Sequence, residues 1–396
     1  MNQFKRLFVS CTLATTLITF FAYGEDKELT IYNVASMSGA FANFGKQAER
    51  GARLAIEQAG DVAGMNLRMV TIDTESNSGK AVSKVRSALS ENGSGIFVGT
   101  ALSSTALAVG KAVNDAGGIY ISGGGADELT GTKCNPSMFR WSSPTYSAVN
   151  ASLRPVLDEN LAIKKVYTIT PQYVFGEAML LNVKNILKEK GLKLAGNSYH
   201  SLKDKEFSGI IAQAQATNPD LLLFLNFGSQ GVSSLQQAIN FGLKDRMKFL
   251  MVWSSGLDTM KILGTEGSSG VYFGAQYWHE EDAAGNKSFV DLSIKKFGEA
   301  PNYPMASYYQ MTKLMIDAVK ATGSADPDKL KSHLSGLSYD GVTGQETISS
   351  DNNQVTKNYY LLLGKDKVSM SNENDFADVV YKGKYFLPGQ QVGCVR

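Results

Sequence analysis

Histidine and cysteine are scarce in this chain, with three of each in 396 residues, and proline is sparse at nine. His200, His279 and His333 form no HExxH pair, and each stands in a polar stretch that reads as surface. Neither Cys11, Cys134 nor Cys394 has a neighbour close enough for a CxxC knuckle, so the common zinc sites are excluded and no metal is expected. A GxSxG elbow and a Walker loop are also missing. Gly123, Gly124 and Gly125 lie together without the GxGxxG spacing of a dinucleotide fingerprint, and no cofactor is expected. Charge of one sign is not in surplus either: 39 Lys and Arg stand against 37 Asp and Glu, a formal +2. That balance gives no electrostatic reason for nucleic acid or an anionic membrane as partner.

Long apolar runs are confined to the start. Lys5 and Arg6 precede an apolar stretch from Leu7 to Ala22, with small residues at Ala22 and Gly24, which reads as a secretory leader over residues 1–24 cleaved after Gly24. Nothing later reaches about 18 consecutive apolar residues, the length of a membrane helix. Cys11 sits inside the apolar run without a small-residue box before it, which argues against lipidation. Losing Lys5 and Arg6 takes the net charge from +2 to 0. Cys134 and Cys394 then remain as an even pair in an oxidising compartment, for which a disulfide tying the C-terminal tail to the body is the simplest reading and two unpaired thiols the alternative.

What is abundant is alternation. Short aliphatic runs at 29–34, 67–73, 96–98 and 119–122 alternate with helical patterns near 43–59, 80–91 and 103–116. This order predicts right-handed βαβ units on a parallel sheet. In the first helix Phe44, Ala48, Ala52, Ala55, Ile56 and Ala59 form one apolar stripe, while Lys46, Glu49, Arg53 and Glu57 face water and Gly60 supplies a stop. A second series starts after Pro144, with helices near 146–160 and 177–190 and strands at 165–170, near Leu194, at 221–226 and at 249–253. Its segment 221–253 repeats the plan of 96–122, with Ser233 and Ser234 answering Ser103 and Ser104.

About 370 residues after the leader exceed one core, so two similar lobes are expected. Strand 271–276, helices near 288–297 and 308–322 and strand 359–363 complete them. Crossings are expected near Trp141–Pro144, Val271–Gly274 and Asp340–Gly344, a hinge of several strands. The division is residues 25–142 with 273–341 for one lobe, and 143–272 with 342–396, including the C-terminal tail, for the other.

Ligands of such sheets bind beyond the carboxyl ends of strands, where turns and helix N-termini offer free N–H groups. Three turns qualify: Ser36–Gly45 with Phe41 and Phe44, Gly99–Thr105 with its hydroxyls, and Ser122–Asp127 with its glycines. Each also has an ordinary use, in helix capping or core packing.

At these turns the chain resembles the type I periplasmic binding proteins of the branched-chain amino acid family. The pieces are Met37-Ser38-Gly39 with Phe44-Gly45, Gly99 with Ser103-Ser104, Ile121-Ser122 with Glu128-Leu129-Thr130, Phe175-Gly176 and Gly242-Leu243-Lys244. The resemblance implies two Rossmann-like α/β lobes with parallel sheets around a multi-crossover hinge. It implies a monomeric, non-catalytic periplasmic receptor that closes on a small molecule and delivers it to an ABC permease in the inner membrane. Carried over, Ser103 donates a hydroxyl, Ala101 and Gly124 offer backbone groups, and Phe44, Phe175 and Phe227 supply rings; Ser104 stands beside Ser103, and Phe41 and Trp253 are further rings on or beside turns at the sheet ends.

Two departures narrow the ligand. Ala126 stands where amino acid binders carry a hydroxyl. After the strand ending at Trp253 the chain reads Ser254-Ser255-Gly256, with Asp258 the nearest acid downstream, where the family places an acid for the ammonium group. An uncompensated buried ammonium is costly, so an aromatic or aliphatic carboxylic acid fits better than a standard amino acid; amides and urea stay open. Tyr277, Trp278 and His279 form a further candidate rim. The rival readings are an exported hydrolase, which needs a histidine beside Ser103, Ser104 or Ser122, and a sensor serving a signalling partner.

Overall fold

The computed structural model describes residues 28–92 and 95–395; the leader over residues 1–24 and Cys11 lie outside the described residues. The first sheet uses β1 (Glu28–Ala35), β2 (Asn66–Asp73), β3 (Ile96–Gly99), β4 (Ile119–Ser122) and β5 (Met138–Arg140) in the order β2-β1-β3-β4-β5, all parallel. The helices α1 (Ala42–Gln58), α2 (Ser78–Asn92) and α3 (Ser103–Asp115) connect them. The expected α1 stripe is buried at Phe44, Ala48, Ala52 and Ala55, while Lys46, Arg53 and Glu57 are exposed.

The second unit runs α4 (Thr145–Glu159), β6 (Lys165–Pro171), α5 (Val174–Glu189), β7 (Lys193–His200), α6 (Ser208–Thr217), β8 (Leu221–Phe224), α7 (Gly228–Asn240), β9 (Lys248–Ser254), α8 (Leu257–Ser268) and β10 (Tyr272–Ala275). Then follow α9 (Ala284–Phe297), α10 (Tyr303–Thr322), α11 (Pro327–Leu334), a small antiparallel sheet of β11 (Ser338–Gly341), β12 (Gly344–Ile348) and β13 (Val355–Thr356), and finally β14 (Tyr359–Gly364) and β15 (Ala377–Gly383). The second sheet has the order β15-β14-β10-β9-β8-β6-β7, with β14 antiparallel to both its neighbours.

Strand β10 is buried along its whole length and pairs with β9 and β14, so it is part of the second sheet. The crossing expected near Val271–Gly274 therefore follows Ala275, and the boundary at residue 273 falls inside a strand of the second sheet. Helix α10 then returns to the first sheet and lies along α1 so closely that a Cβ at Gly51 would stand 2.0 Å from the Met305 carbonyl oxygen. Its start is earlier than the spacing suggested, because the Asn302 side chain caps it by accepting from the Met305 N–H, with Pro304 in the first turn. Helices α6 and α8 escaped the periodicity reading for identifiable reasons. The first buries only Ile211 and Ala214, and the second is kinked at Gly264, whose φ is +69°.

The crossings are bound to one another. Ser142 and Ser143 share the side-chain oxygen of Gln276, the Gln354 amide donates to the Ser142 carbonyl (3.0 Å), and buried Lys357 donates to the Gln276 carbonyl (2.8 Å) with its ammonium 4.1 Å above the Trp141 ring. Beside them the Glu346 carboxylate, fully buried, accepts from Trp141 Nε1, the Tyr339 hydroxyl, and the N–H and hydroxyl of Thr343. A disulfide joins Cys134 to Cys394, closing the C-terminal tail onto the segment before β5.

Candidate functional site

The carboxyl ends of both sheets meet at one place. From the first lobe, the Asp73 carboxylate gathers the turn after β1 by accepting from the Met37 N–H (2.9 Å), the Ser38 hydroxyl (2.7 Å) and the Glu75 N–H (2.8 Å). This turn presents Phe41 and Phe44 to the second lobe, where Phe41 stacks on Phe227 at 5.0 Å and Phe44 meets it edge-on at 6.3 Å. The turn after β3 needs Gly99, at φ +119°, because a Cβ there would lie 2.3 Å from the Val34 carbonyl oxygen.

Ser103 opens α3 and is fully buried. Its Oγ accepts the N–H groups of Gly125 (3.1 Å) and Ala126 (3.0 Å), so it draws the turn after β4 toward the turn after β3. Arg140, 1% exposed, supports the same turn from the other side, donating to the carbonyl oxygens of Ala126 (2.5 Å) and Gly125 (3.3 Å). Burial pulls its guanidinium down to about 10.

The second lobe contributes rings. Phase after phase of its βα turns ends in an aromatic: Phe175 opens α5, Phe227 precedes α7, and Trp253 lies near the end of β9. Phe175 lies edge-on to Trp253 at 5.0 Å and to Phe227 at 5.4 Å. Trp253 faces Tyr303, the first residue of α10, at 6.4 Å. The lobes touch here: a Cβ on Gly125 would meet the Trp253 ring at 2.6 Å and the Phe175 ring at 2.9 Å. Between them remains a collapsed cavity, too tight to admit a water molecule, lined by Phe44, Ala101, Gly123, Phe175, Phe227, Trp253 and Tyr303.

Five of the sequence-selected residues, Phe44, Ala101, Phe175, Phe227 and Trp253, thus converge on one cavity. Ser103, Gly124 and Ala126 stand directly behind its wall, and the Gly124 N–H is already engaged by the Ser122 hydroxyl (3.0 Å). Ser104 does not converge with them; its hydroxyl lies 3.5 Å from Ser78 of α2. Ser234 also departs from the role expected of a second serine turn, since its hydroxyl bonds the buried Asn226 side chain within the second lobe.

Sequence reasoning missed Gly123, Tyr303 and Arg140. The Asn302-Tyr303-Pro304 cap signature would have found the start of α10, but no local signal marks Arg140, whose partners come from tertiary folding.

Asp258 is no counter-ion within this cavity. It bonds the Asn302 amide (2.9 Å) and borders an outer groove with Lys46 and Lys261, and burial raises its carboxyl. The rim of Tyr277, Trp278 and His279 proves to be packing: the Tyr277 hydroxyl donates to Asn286 (2.8 Å), and Trp278 lies in the second lobe's core. The surface reading of the histidines is corrected for two of them. His200 is 2% exposed and bonds Asn226, and the His279 side chain is 7% exposed, with burial lowering its ring to about 4. Each packs on a ring of the second lobe, His200 on Phe207 and His279 on Trp278, which a polar flanking sequence does not reveal.

This is a ring-lined box with peptide groups and a serine at one end, in a cleft bounded by two sheets, and proteins of known description share its architecture. A solved amino acid ABC transporter substrate-binding protein from Pseudomonas fluorescens Pf-5 is 47% identical, with a TM-score of 0.90 over 93% of this chain and 99% of its own. A periplasmic binding protein from Burkholderia mallei is 25% identical, with a TM-score of 0.83 over 93% and 96%. Leu/Ile/Val-binding protein homolog 7 of Brucella suis is 25% identical over 319 residues, 76% of this chain and 79% of that protein. The family described as Periplasmic binding protein matches residues 28–367, nearly the full extent of both sheets, and the chain belongs to that family.

Proposed function

We propose that this protein captures a small carboxylic acid with an aromatic or branched aliphatic body between its lobes and hands it, unchanged, to the permease of an ABC importer. The single observation that carries the choice of ligand is the lining of the interlobe cavity: four aromatic rings from Phe44, Phe175, Phe227 and Trp253, a Tyr303 ring, two small residues, and no carboxylate. An α-ammonium group enclosed there would lack a counter-charge, a penalty of several kcal/mol. A carboxylate has a donor beside this lining in the Ser103 hydroxyl, whose proton has no acceptor among the described residues, and the rings suit an apolar body.

In this reading Phe44, Ala101, Phe175, Phe227 and Trp253 contact the ligand, while Ser103, Gly124 and Ala126 form its polar end. The leader sends the chain to the periplasm, where it acts as a monomer. The Pseudomonas fluorescens relative is described with amino acids, and the cavity lining argues for a different head group here.

A thermal-shift panel of aromatic and branched carboxylic acids, their amides, urea and the standard amino acids tests the reading, because a ligand that binds only the folded form raises the melting temperature by mass action. Acids are expected to stabilise. Stabilisation by leucine or another amino acid, with no effect of the acids, overturns it.

A further inference from the structure

Arg140 is one of two buried cations among the described residues, the other being Lys357. It makes no ion pair among the described residues, and its donors go to neutral oxygens: the Gly125 and Ala126 carbonyls, the Thr130 hydroxyl and the Gln354 side chain. Asp127, the acid next to this turn, opposes the burial of Arg140 by its charge at longer range, while its oxygens accept from the Tyr146 N–H (2.9 Å) and the Asn182 amide (2.8 Å). The other buried cation of the hinge, Lys357, also bonds a neutral carbonyl, with Glu346 the buried carboxylate of that region.

The peptide joining Gly125 to Ala126 is polarised from both ends. Its oxygen accepts from the Thr145 N–H (2.9 Å) and from the guanidinium (3.3 Å), and its N–H donates to Ser103 Oγ. The same Oγ accepts the Gly125 N–H, so two acceptor positions of the hydroxyl are filled and its own proton is left to donate. No acceptor among the described residues takes it. Chains of this kind polarise cooperatively, and a charge in a low-dielectric interior acts over a longer range than in water. Gly125 itself abuts the Trp253 and Phe175 rings, so the guanidinium stands one peptide unit behind the cavity wall.

We propose that Arg140 is a positioning residue that makes the cleft select an anionic head group, acting through the Gly125–Ala126 peptide and the Ser103 hydroxyl without touching the ligand. This rests on the carboxylic acid reading above. A merely structural arginine would hold the turn together and affect acids and neutral analogues alike; a polarising one changes their ratio.

The test is calorimetric titration of wild type, Arg140→Met and Arg140→Lys with benzoate and benzamide, and with 4-methylpentanoate and its amide. Wild type is expected to prefer acid over amide by about tenfold or more. That preference is expected to collapse to within about threefold in Arg140→Met and to survive in part in Arg140→Lys, which keeps the charge but not the fork. An unchanged ratio in folded variants overturns the role of Arg140 and leaves the proposed ligand class standing. Equal wild-type binding of acid and amide overturns both.

A measurement without any of these ligands separates the two readings further and serves where a probe fails to bind. In ligand-free protein, iodide is expected to quench the Trp253 emission more in wild type than in Arg140→Met, with Arg140→Lys between them and neutral acrylamide quenching all three equally. The difference should vanish in Trp253→Phe. Equal iodide quenching overturns the proposal even when the titrations fail to reveal a ligand.

Discussion

In the first lobe the turn after β3 enters α3 through Ser103, and that serine gathers the backbone of the next turn. In the second lobe the turn after β8 enters α7 through Phe227, and the serine that follows, Ser234, turns inward to Asn226. The strand, turn, helix and strand are the same in both, yet this turn is peptide and hydroxyl in the first lobe and carries a ring in the second, while Phe44 brings a ring from the first lobe's turn after β1. A repeated backbone plan therefore fixes where side chains stand and leaves their chemistry free. In the proposed function a ligand's polar end would lie against the first lobe and its apolar body among rings from both lobes.

The largest effect expected is at the ring wall. Trp253→Ala removes a side chain that is 3% exposed and packed on Phe175, Tyr303 and Tyr359. It should cost about 3–5 kcal/mol of stability by denaturant unfolding and abolish ligand binding. Retained affinity in the destabilised variant would mean that this wall is only scaffold.

The hinge, where the lobes are joined, comes next. Burial lowers the Lys357 ammonium to about 7 from its ordinary 10.5, with Glu346 opposing. The unfolded chain then holds more proton between these values, so the penalty is full below pH 7 and fades as pH rises towards 10.5. Lys357→Met should accordingly be more stable than wild type by about 2–4 kcal/mol at pH 6, with the gap closing by pH 10.5. A gap independent of pH in paired unfolding curves would refute the charged, buried hinge.

On the peptide wall, Ser103→Ala leaves the Gly125 and Ala126 N–H groups without their acceptor. It should lower stability by about 1–3 kcal/mol as well as weaken binding, whereas loss of binding alone would confine Ser103 to the ligand. The smallest and sharpest change is Gly125→Ala. Gly125 is not among the positive-φ glycines, so the backbone accepts alanine, but the new methyl meets the Trp253 and Phe175 rings of the opposite lobe. Ligand affinity should fall about tenfold through hindered closure while the melting temperature of ligand-free protein barely moves. Unchanged affinity would show that the walls do not meet on binding.

Much of this was legible in sequence, and the residues show why. The α1 stripe of Phe44, Ala48, Ala52 and Ala55 is a property of 3.6-residue spacing, and the structure buries these residues. The even pair Cys134 and Cys394 is joined as one of the two options open to it. The rings at strand ends were visible as rings, since turns follow strands in order, and four of them reached the cavity. Ser104 was not distinguishable from Ser103, because one position along α3 turns a hydroxyl from the next loop toward α2. The strand expected at 271–276 forms as β10, but a four-residue apolar run does not say which sheet it will join, and the boundary expected at residue 273 falls inside it.

By itself the sequence determined the local periodicities, the duplicated strand and helix plan, and the absence of common metal-site and cofactor motifs. Only the tertiary structure decided that Arg140 would stand behind the Gly125–Ala126 peptide, that Tyr303 would close the cavity, and that Asp258 would be engaged outside it. The reason is range. Helix and strand patterns are set by neighbours within a few residues, whereas a binding cleft is set by groups that several chain crossings bring together across the molecule.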